Sequence, residues 1–282
     1  MSESTGQRIP LDADDTRGQH FRHLLSHPAT LILGGILILA AGIGLAAGAG
    51  PAVGAAAAVG ALLLVLLIVF LLANSRAEAD FFRSYAQGHS LQLQDGRSQV
   101  PAVTPLLRRG DNRYTTKQLR GTLPGGENGT LAHYTYEEKT RDSDGNQQTS
   151  YFKFTLVMCE VPEMAPFLEE LYFQRRVGFR FLDGAEDVFR KRQRVEQESE
   201  VVDKKFEIFC GQKDDMNRAR QVLEPSFLVW LADHSPEAFA FECVAGALVC
   251  NVKGHKKSAS ELDVFCEGAS AVAKRLREEA RE

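Results

Sequence analysis

The chain has 282 residues, with 33 lysines and arginines against 37 aspartates and glutamates and a formal net charge of −4. Charged residues make up 25% and apolar residues 44% of it, which excludes a chain that is disordered throughout. No segment is basic enough for a dedicated nucleic-acid-binding protein, so we expect no nucleic acid partner. The length allows one or two domains.

The most informative segment is an uncharged one, because residues 28–73 contain no lysine, arginine, aspartate or glutamate. Its two apolar stretches, 29–50 and 51–73, each supply the roughly 20 residues that a helix needs to cross a bilayer. Pro51 divides them among glycines, where a tight turn is needed. The sequence predicts a two-helix transmembrane hairpin over 28–73, after a flexible N-terminus over 1–27. A buried soluble hairpin or a cleaved signal peptide fits less well, because the apolar run is too extended.

The flanking charges predict the orientation. Arg17 and Arg22 precede the first span and Arg76 and Arg83 follow the second, whereas the turn between the spans has no lysine or arginine. The positive-inside rule then places both termini in the cytoplasm, in a multi-pass protein of the inner or plasma membrane. Small residues near the turn allow close helix packing, either within the hairpin or between copies of the chain. No ionisable residue lies within the spans, so nothing indicates an ion path.

The remainder of the chain reads as a helical extension and linker over 74–113, followed by a cytoplasmic domain over 114–282. Alternating or β-rich patterns predict strands at 116–123, 130–138, 149–160, 171–174, 204–209, 239–244 and 247–252. Helices are predicted at 214–223, at 225–234 and, with a clear apolar face, at 259–281. The predicted fold class is α+β, with a transmembrane helical hairpin followed by a mainly antiparallel sheet domain and a C-terminal helix.

The cysteines do not form a metal-binding or redox motif. None of the five belongs to a closely spaced pair: Cys159, Cys210, Cys243, Cys250 and Cys266. Their positions on apolar strand and helix faces predict buried free thiols, and the cytoplasm keeps thiols reduced. A zinc site needs paired ligands at short spacing, and the loop at 142–153 departs from the calcium-binding pattern. We expect no metal and no cofactor.

Catalytic signatures are equally absent from the sequence, which has no nucleophile elbow, no H-E-x-x-H and no Ser-x-x-Lys arrangement typical of hydrolases. His133, in a predicted strand, could act as a general base with a nearby carboxylate such as Glu137 or Asp203, in a hydrolase working at the membrane surface. A single strand histidine more often satisfies a local hydrogen bond. We therefore favour a scaffold or regulatory domain without catalytic activity. An accessory subunit of a transport complex is a third interpretation.

One segment predicts a binding surface. Its basic residues are Arg175, Arg176, Arg190, Lys191, Arg192 and Arg194. Phenylalanines lie between them, and each basic residue near a membrane contributes about 1 kcal/mol of attraction to anionic headgroups. The alternative is a solvated face whose arginines pair with the acidic run at 196–200. The expected partners are the lipid bilayer, anionic lipid headgroups and an unidentified protein.

Several short stretches support a family resemblance: 205–209 (KFEIF), 218–223 (RARQVL), 225–227 (PSF), 131–136 (LAHYTY) and 175–182 (RRVGFRFL). Residues 202–252 resemble a family of bacterial membrane-anchored proteins of unknown function. The whole chain is similar to uncharacterised actinobacterial two-span membrane proteins. The resemblance implies a transmembrane pair ahead of a soluble α+β domain. It implies no catalytic residues.

Overall fold

The computed structural model describes residues 12–141, 145–175, 192–197 and 204–282, and the chain divides into two units. The first unit comprises Met1–Tyr85 together with Lys257–Ala259. The second comprises Ala86–Lys256 and Ser260–Glu282. The first is built from helices, and the second is built around a β-sheet.

Three helices form the first unit: α1 (Ala13–Ser26), α2 (Pro28–Ala49) and α3 (Pro51–Gly88). Helix α3 is long and apolar enough to cross a membrane, whereas the apolar stretch described in α2, Ile32–Gly48, is shorter. Gly50 separates the two helices with a φ of 96°, in the left-handed region that glycine adopts without steric cost.

Residues 13–26 form helix α1 instead of the flexible segment that their polar composition predicted. The Asp12 carboxylate accepts a hydrogen bond from the Asp14 N–H at the start of this helix, which satisfies one of its free donors. Leu24, near its end, is buried against Val69 and Ala73 of α3. The sequence pattern alone did not reveal this helix, because the apolar partner that stabilises it lies more than 40 residues away.

Helices α2 and α3 pack closely where their side chains are small. A Cβ atom at Gly54 would lie 2.5 Å from the Cβ of Ala46 and 2.6 Å from the carbonyl oxygen of Gly42. A Cβ atom at Gly42 would in turn lie 3.3 Å from the Cβ of Ala58. The small residues thus form an antiparallel contact within the hairpin, as glycine and alanine do wherever helix backbones approach closely.

The other sides of these two helices are apolar and exposed. Among the largest exposed fractions are 68% for Leu33, 67% for Ile43, 63% for Leu39 and 61% for Leu63. Monomeric soluble proteins rarely expose continuous apolar surface on this scale.

The nine described strands of the second unit form one sheet in the order β1-β2-β3-β4-β9-β8-β5-β7-β6. Their bounds are β1 Gln92–Gln94, β2 Asn112–Thr122, β3 Asn128–Arg141, β4 Gln147–Glu160, β5 Glu170–Arg175, β6 Arg192–Arg194, β7 Phe206–Gly211, β8 Ala240–Val244 and β9 Ala247–Lys253. All of their pairings are antiparallel, which confirms the predicted sheet type.

The unit also contains five described helices: α4 Pro105–Arg108, α5 Met164–Phe167, α6 Met216–Val222, α7 Pro225–His234 and α8 Ala259–Glu279. Helix α8 is the predicted C-terminal helix, and the apolar side that its periodicity indicated is buried. The α+β class is therefore confirmed for this unit.

Alternation of side chains along the strands gives the sheet two different faces. On the helix face, Phe173 contacts Phe239 and Phe239 contacts Phe265 of α8, with ring centroids 6.5 Å and 5.9 Å apart. The opposite face is crossed by residues 98–108, which we name the strap. Two strap leucines, Leu106 and Leu107, are buried in the hydrophobic cluster on this face. We call it the strap face.

Candidate ligand-binding cavity

Strand β2 contains a β-bulge that is central to the candidate site. Its register with β3 shifts between Thr116 and Leu119, so an extra residue is accommodated there. Lys117, inside the bulge, has a φ of 48°, which is unusual for a residue other than glycine. Its ammonium nitrogen lies 2.6 Å from a carboxylate oxygen of Asp95. Bulges of this kind commonly re-aim side chains beside functional sites.

The bulge places a chain of hydrogen bonds on the strap face. The Thr115 hydroxyl donates to the carbonyl of Ser98 at 3.2 Å and accepts from the Gln118 amide at 2.7 Å. The Gln118 carbonyl oxygen then accepts from the Arg120 guanidinium at 2.8 Å. Thr115 and Gln118 are buried, whereas Arg120 is exposed. A buried amide thus holds one edge of an exposed guanidinium in place.

Between the strap and the sheet lies a cavity of about 870 Å³. The sheet contributes Thr115, Gln118, Arg120, Asn128, Gly129, Thr130, Met158, Cys159, Glu160, Ala247, Leu248 and Val249, and the strap contributes Gln99, Val100, Pro101, Val103 and Leu107. Gly126, Glu127 and Arg277 close one end, where Arg277 donates to both carboxylate oxygens of Glu127 at 2.8 and 2.9 Å. The volume is typical of a small-ligand or peptide-side-chain site.

The strap is fixed at both ends. Ser98 and Thr115 exchange two backbone hydrogen bonds of 2.9 and 2.8 Å. At the other end, the Leu106 N–H donates to the Glu242 carboxylate at 2.9 Å, and the Tyr134 hydroxyl donates to the Leu106 carbonyl at 3.2 Å. The middle of the strap therefore arches over the cavity without collapsing onto the sheet.

Glu242 is the buried carboxyl group of this arrangement. Burial raises the pKa of its carboxyl group, and the hydrogen bond from the Leu106 N–H opposes this increase. From the edge strand β6, the Arg192 guanidinium donates to two residues of β5, the strand next to that of Glu242: to Glu170 at 2.6 Å and to the Tyr172 hydroxyl at 2.7 Å. The strap face thus carries carboxyl, guanidinium and hydroxyl groups in addition to its hydrophobic cluster.

No family model and no curated protein matches this sequence. Among solved structures, the chain is similar to the crystal structure of the mycobacterial trehalose monomycolate transport factor A, TtfA, with a TM-score of 0.42 and 8% sequence identity. The similarity covers 73% of this chain and 96% of that chain. A likeness this distant carries no argument about function. The resemblance to bacterial membrane-anchored families stays a prediction.

The structure separates the residues of the predicted basic surface. The Arg175 guanidinium donates to the carbonyls of Leu231 and Ala232 at 2.6 and 2.7 Å, at the end of helix α7. By strand alternation Arg175 lies on the helix face, whereas Arg192 and Arg194 lie on the strap face. Arg194 is exposed. Arg176, Arg190 and Lys191 lie outside the described residues.

His133, the candidate general base, is buried on the helix face. Its ring stacks on that of His255 with centroids 4.2 Å apart, and its Nε2 lies 2.9 Å from the carbonyl oxygen of Lys256. Glu137 is four residues further along the same strand, about 13 Å away at the usual rise per residue. Asp203 lies outside the described residues. His133 does not line the strap cavity.

All five cysteines are free and buried, as predicted. Burial raises the pKa of the Cys159 and Cys243 thiols to about 12, which keeps them protonated and poorly nucleophilic at neutral pH. Within the described ranges, no group of three or more histidine, cysteine, aspartate or glutamate side chains is placed to hold a metal ion.

The cavity residues were not identified from the sequence. Gln118 and Arg120 looked like the polar side of an ordinary strand. One signal was present, because Lys117-Gln118 interrupts the alternation of apolar and polar residues before Leu119. Such an interruption is typical of a bulge.

Proposed function

We propose that the chain is a multi-pass membrane protein whose α+β domain binds a protein partner and thereby scaffolds or regulates another membrane component. The observation that carries the anchor is the exposed apolar surface of α2 and α3. Leu33, Ile43 and Leu63 are each more than 60% exposed. Transfer from water into lipid would stabilise such side chains by about 25 cal/mol for each Å² removed from water.

A second span through α2 has its own support. The helix has 22 residues, and at the usual rise of 1.5 Å per residue it extends about 33 Å, close to the thickness of a bilayer core. Its close contact with α3 at Gly42 and Gly54 favours a hairpin that enters and leaves the membrane on one side. The basic flanks of the hairpin favour cytoplasmic termini.

Partner binding rests on the strap cavity. It is preformed, it is held open by a strap fixed at both ends, and it presents a guanidinium, Arg120, with no ion-pair partner among the described residues. An arginine positioned by a buried glutamine is more useful for recognition than for stability, because an exposed cation contributes little to folding. No described constellation favours a catalytic role.

The anchor is tested by topology mapping. Reporters active only in the cytoplasm or only outside would be fused to the full chain at Glu282 and inserted beside Gly50. We expect cytoplasmic signal at Glu282 and external signal beside Gly50. Cytoplasmic signal at both positions would refute the two-span arrangement, and release of the chain by alkaline carbonate would refute membrane insertion altogether.

Partner binding is tested in the cell by photo-crosslinking. A photoreactive amino acid would replace Val103, which is 38% exposed at the cavity, or Tyr151, which is 58% exposed away from it. We expect a discrete adduct from position 103 that disappears in an Arg120→Gln background, and none from position 151. Adducts that are equal at both positions, or unaffected by Arg120→Gln, would refute a role for the cavity.

A secondary interaction with anionic headgroups is also proposed for the basic segment. Because Arg175 and Arg192 are engaged within the protein, it would depend on Arg194 with Arg176, Arg190 and Lys191. Residues 74–282 would be tested on anionic liposomes after replacement of Arg190, Lys191 and Arg194 by serine. Undiminished binding would remove this interaction from the proposal.

A further inference from the structure

We infer that the strap cavity binds an extended peptide that carries an acidic side chain, an apolar side chain and a basic side chain on one face. Arg120 would bind the acidic side chain, Met158 and Val103 would contact the apolar one, and Glu160 would bind the basic one. This assignment names the ligand of the cavity and rests on the proposed function.

The Arg120 guanidinium is preorganised to bind a carboxylate. Its single described hydrogen bond, to the Gln118 carbonyl oxygen, uses one terminal nitrogen and leaves donors at the exposed side of the guanidinium. Gln118 is itself held by Thr115, so the guanidinium is oriented before a ligand arrives. A planar guanidinium binds a carboxylate through two parallel hydrogen bonds, and orientation in advance lowers the entropy lost on binding.

Glu160 supplies the opposite charge. It is exposed, it lines the same cavity, and it forms no ion pair among the described residues. Thr130 of β3 pairs with Arg120 of β2 on one side and with Met158 of β4 on the other. Glu160 is therefore two strands across the sheet from Arg120 and two residues further along β4 than Met158. Usual sheet spacings make this separation about 12 Å. In an extended peptide, side chains four residues apart point the same way at about 13 Å.

Part of the cavity floor beside the two charges is apolar. Met158 is half-buried on β4, across Thr130 from Arg120 and two residues before Glu160, and Val103 of the strap is 38% exposed beside the cavity. Thr130 and Asn128, on the same face of β3, line the floor between the two charges. A small side chain with methyl groups, such as valine, between the acidic and basic side chains of the ligand would contact Met158 and Val103 beside these polar groups.

Two observations favour a peptide over an acyl chain. The cavity is lined by about as many polar as apolar side chains, which suits a chain of amides better than a hydrocarbon. In addition, the backbone N–H groups of Gln99, Val100, Ala102 and Val103 have no hydrogen-bond partner among the described residues, so they can donate to the carbonyls of another backbone. Peptides commonly bind by such main-chain pairing, with alternate side chains entering pockets.

The charges also exclude other classes of ligand. Glu160 and Glu127 line the cavity that Arg120 enters, and Arg277 is neutralised by Glu127. A polyanion such as a nucleic acid or a polyphosphate would meet these carboxylates. A ligand with one charge of each sign avoids this repulsion and satisfies both unpaired groups.

The test uses the full chain in nanodiscs of zwitterionic lipid and a fluorescent peptide, Glu-Thr-Val-Thr-Lys with both ends blocked. Fluorescence anisotropy would measure its dissociation constant, with empty nanodiscs as the blank. We expect saturable binding that Arg120→Gln weakens about tenfold or more and that Arg120→Lys weakens less, because lysine keeps the charge without the planar fork. Arg141→Gln, an exposed strand arginine outside the cavity, is the matched control and should change nothing.

A charge exchange makes the result specific. Arg120→Glu should abolish binding of the original peptide and gain binding of Lys-Thr-Val-Thr-Lys. Thermal unfolding of each variant would show that it is folded. Absence of saturable binding to the folded wild-type chain, equal binding by Arg120→Gln, or failure of the exchange would overturn the assignment. If octanoate bound in an Arg120-dependent manner and the peptide did not bind, the peptide assignment would be refuted and the ligand would be a lipid carboxylate. Photo-crosslinking from position 103 does not depend on the sequence of the synthetic peptide, so failure of the peptide assignment is distinguishable from failure of partner binding.

Discussion

Replacing Arg175 by alanine tests whether this arginine holds the sheet to helix α7. Its terminal nitrogen donates to the carbonyls of Leu231 and Ala232 and to the hydroxyl of Ser235 at 2.6, 2.7 and 2.9 Å. These acceptors lie at the C-terminal end of α7, where carbonyl groups lack partners within the helix. The guanidinium therefore serves as the cap of that helix, from a strand residue 56 positions before the first of these carbonyls.

The expected loss of stability follows from these contacts. A hydrogen bond from a charged donor contributes about 1.5–3 kcal/mol, and a cation at a helix C-terminus contributes about 0.3–1 kcal/mol. The Ser235 hydroxyl also donates to the Leu231 carbonyl, so that acceptor keeps a partner in the variant. Burial lowers the pKa of the Arg175 guanidinium, which shows that its desolvation offsets part of the gain. We expect Arg175→Ala to lower the free energy of unfolding by about 2–3 kcal/mol.

The chain contains one tryptophan, Trp230, and it lies on α7 itself. Urea titration of the full chain in micelles, followed by tryptophan fluorescence, therefore reports directly on this helix. The midpoint should fall by about 1 M for a protein with an m-value of 2–3 kcal/mol/M. Arg194→Ala, an exposed arginine of the same sheet, should stay within about 0.5 kcal/mol of wild type. Equal midpoints for the two variants would refute the capping role and return Arg175 to the proposed lipid-binding surface.

Three further changes test other parts of the fold. Burial raises the pKa of the Glu242 carboxyl group above 4.5, so as the pH rises from 4.5 the unfolded chain loses this proton before the folded chain does, and the free energy of unfolding should fall. Glu242→Gln, whose amide oxygen still accepts from the Leu106 N–H, should remove that fall in thermal midpoints measured between pH 4.5 and 8. Gly54→Val should destabilise the hairpin by about 1–3 kcal/mol, measured by thermal unfolding followed by circular dichroism, because Gly54 is in close contact with the other helix. Gly48→Val, with open space around it, should not. Equal effects of the two substitutions would refute the close packing. His133→Phe keeps a ring against His255 but loses the hydrogen bond with the Lys256 carbonyl, so it should lower stability by about 1 kcal/mol or more and leave peptide binding intact. Loss of binding without loss of stability would restore a functional role for this histidine.

Much of the second unit could be predicted because its elements are encoded locally. Helix α7 was predicted at 225–234 and is observed as Pro225–His234, since a proline suits the first helical turn and the apolar side chains follow a helical period. The predicted strands at 130–138 and 149–160 lie within β3 and β4. Elements of three or four residues, such as β1 and α5, were missed because so short a stretch shows no periodicity.

The candidate site was far less predictable. The predicted basic surface grouped Arg175 with Arg192 by composition, but the strand register places these two side chains on opposite faces of the sheet. The strap contact between Leu106 and Glu242 joins residues 136 positions apart. Neither relation has a local signal, because pairing partners in a sheet of this order are chosen by packing across the whole domain.

By itself, the sequence determined the uncharged apolar run, the order of the longer strands and helices of the second unit and the burial of the cysteines, because each follows from the spacing of apolar residues along a single element. Only the tertiary structure decided which polar side chains meet. It brought Arg120, Met158 and Glu160 to one cavity wall and gave Arg175 a helix end to cap. The first outcome depends on the bulge at Lys117, and both depend on strand neighbours far apart in the chain. A register difference of one residue would turn each of these side chains to the other face.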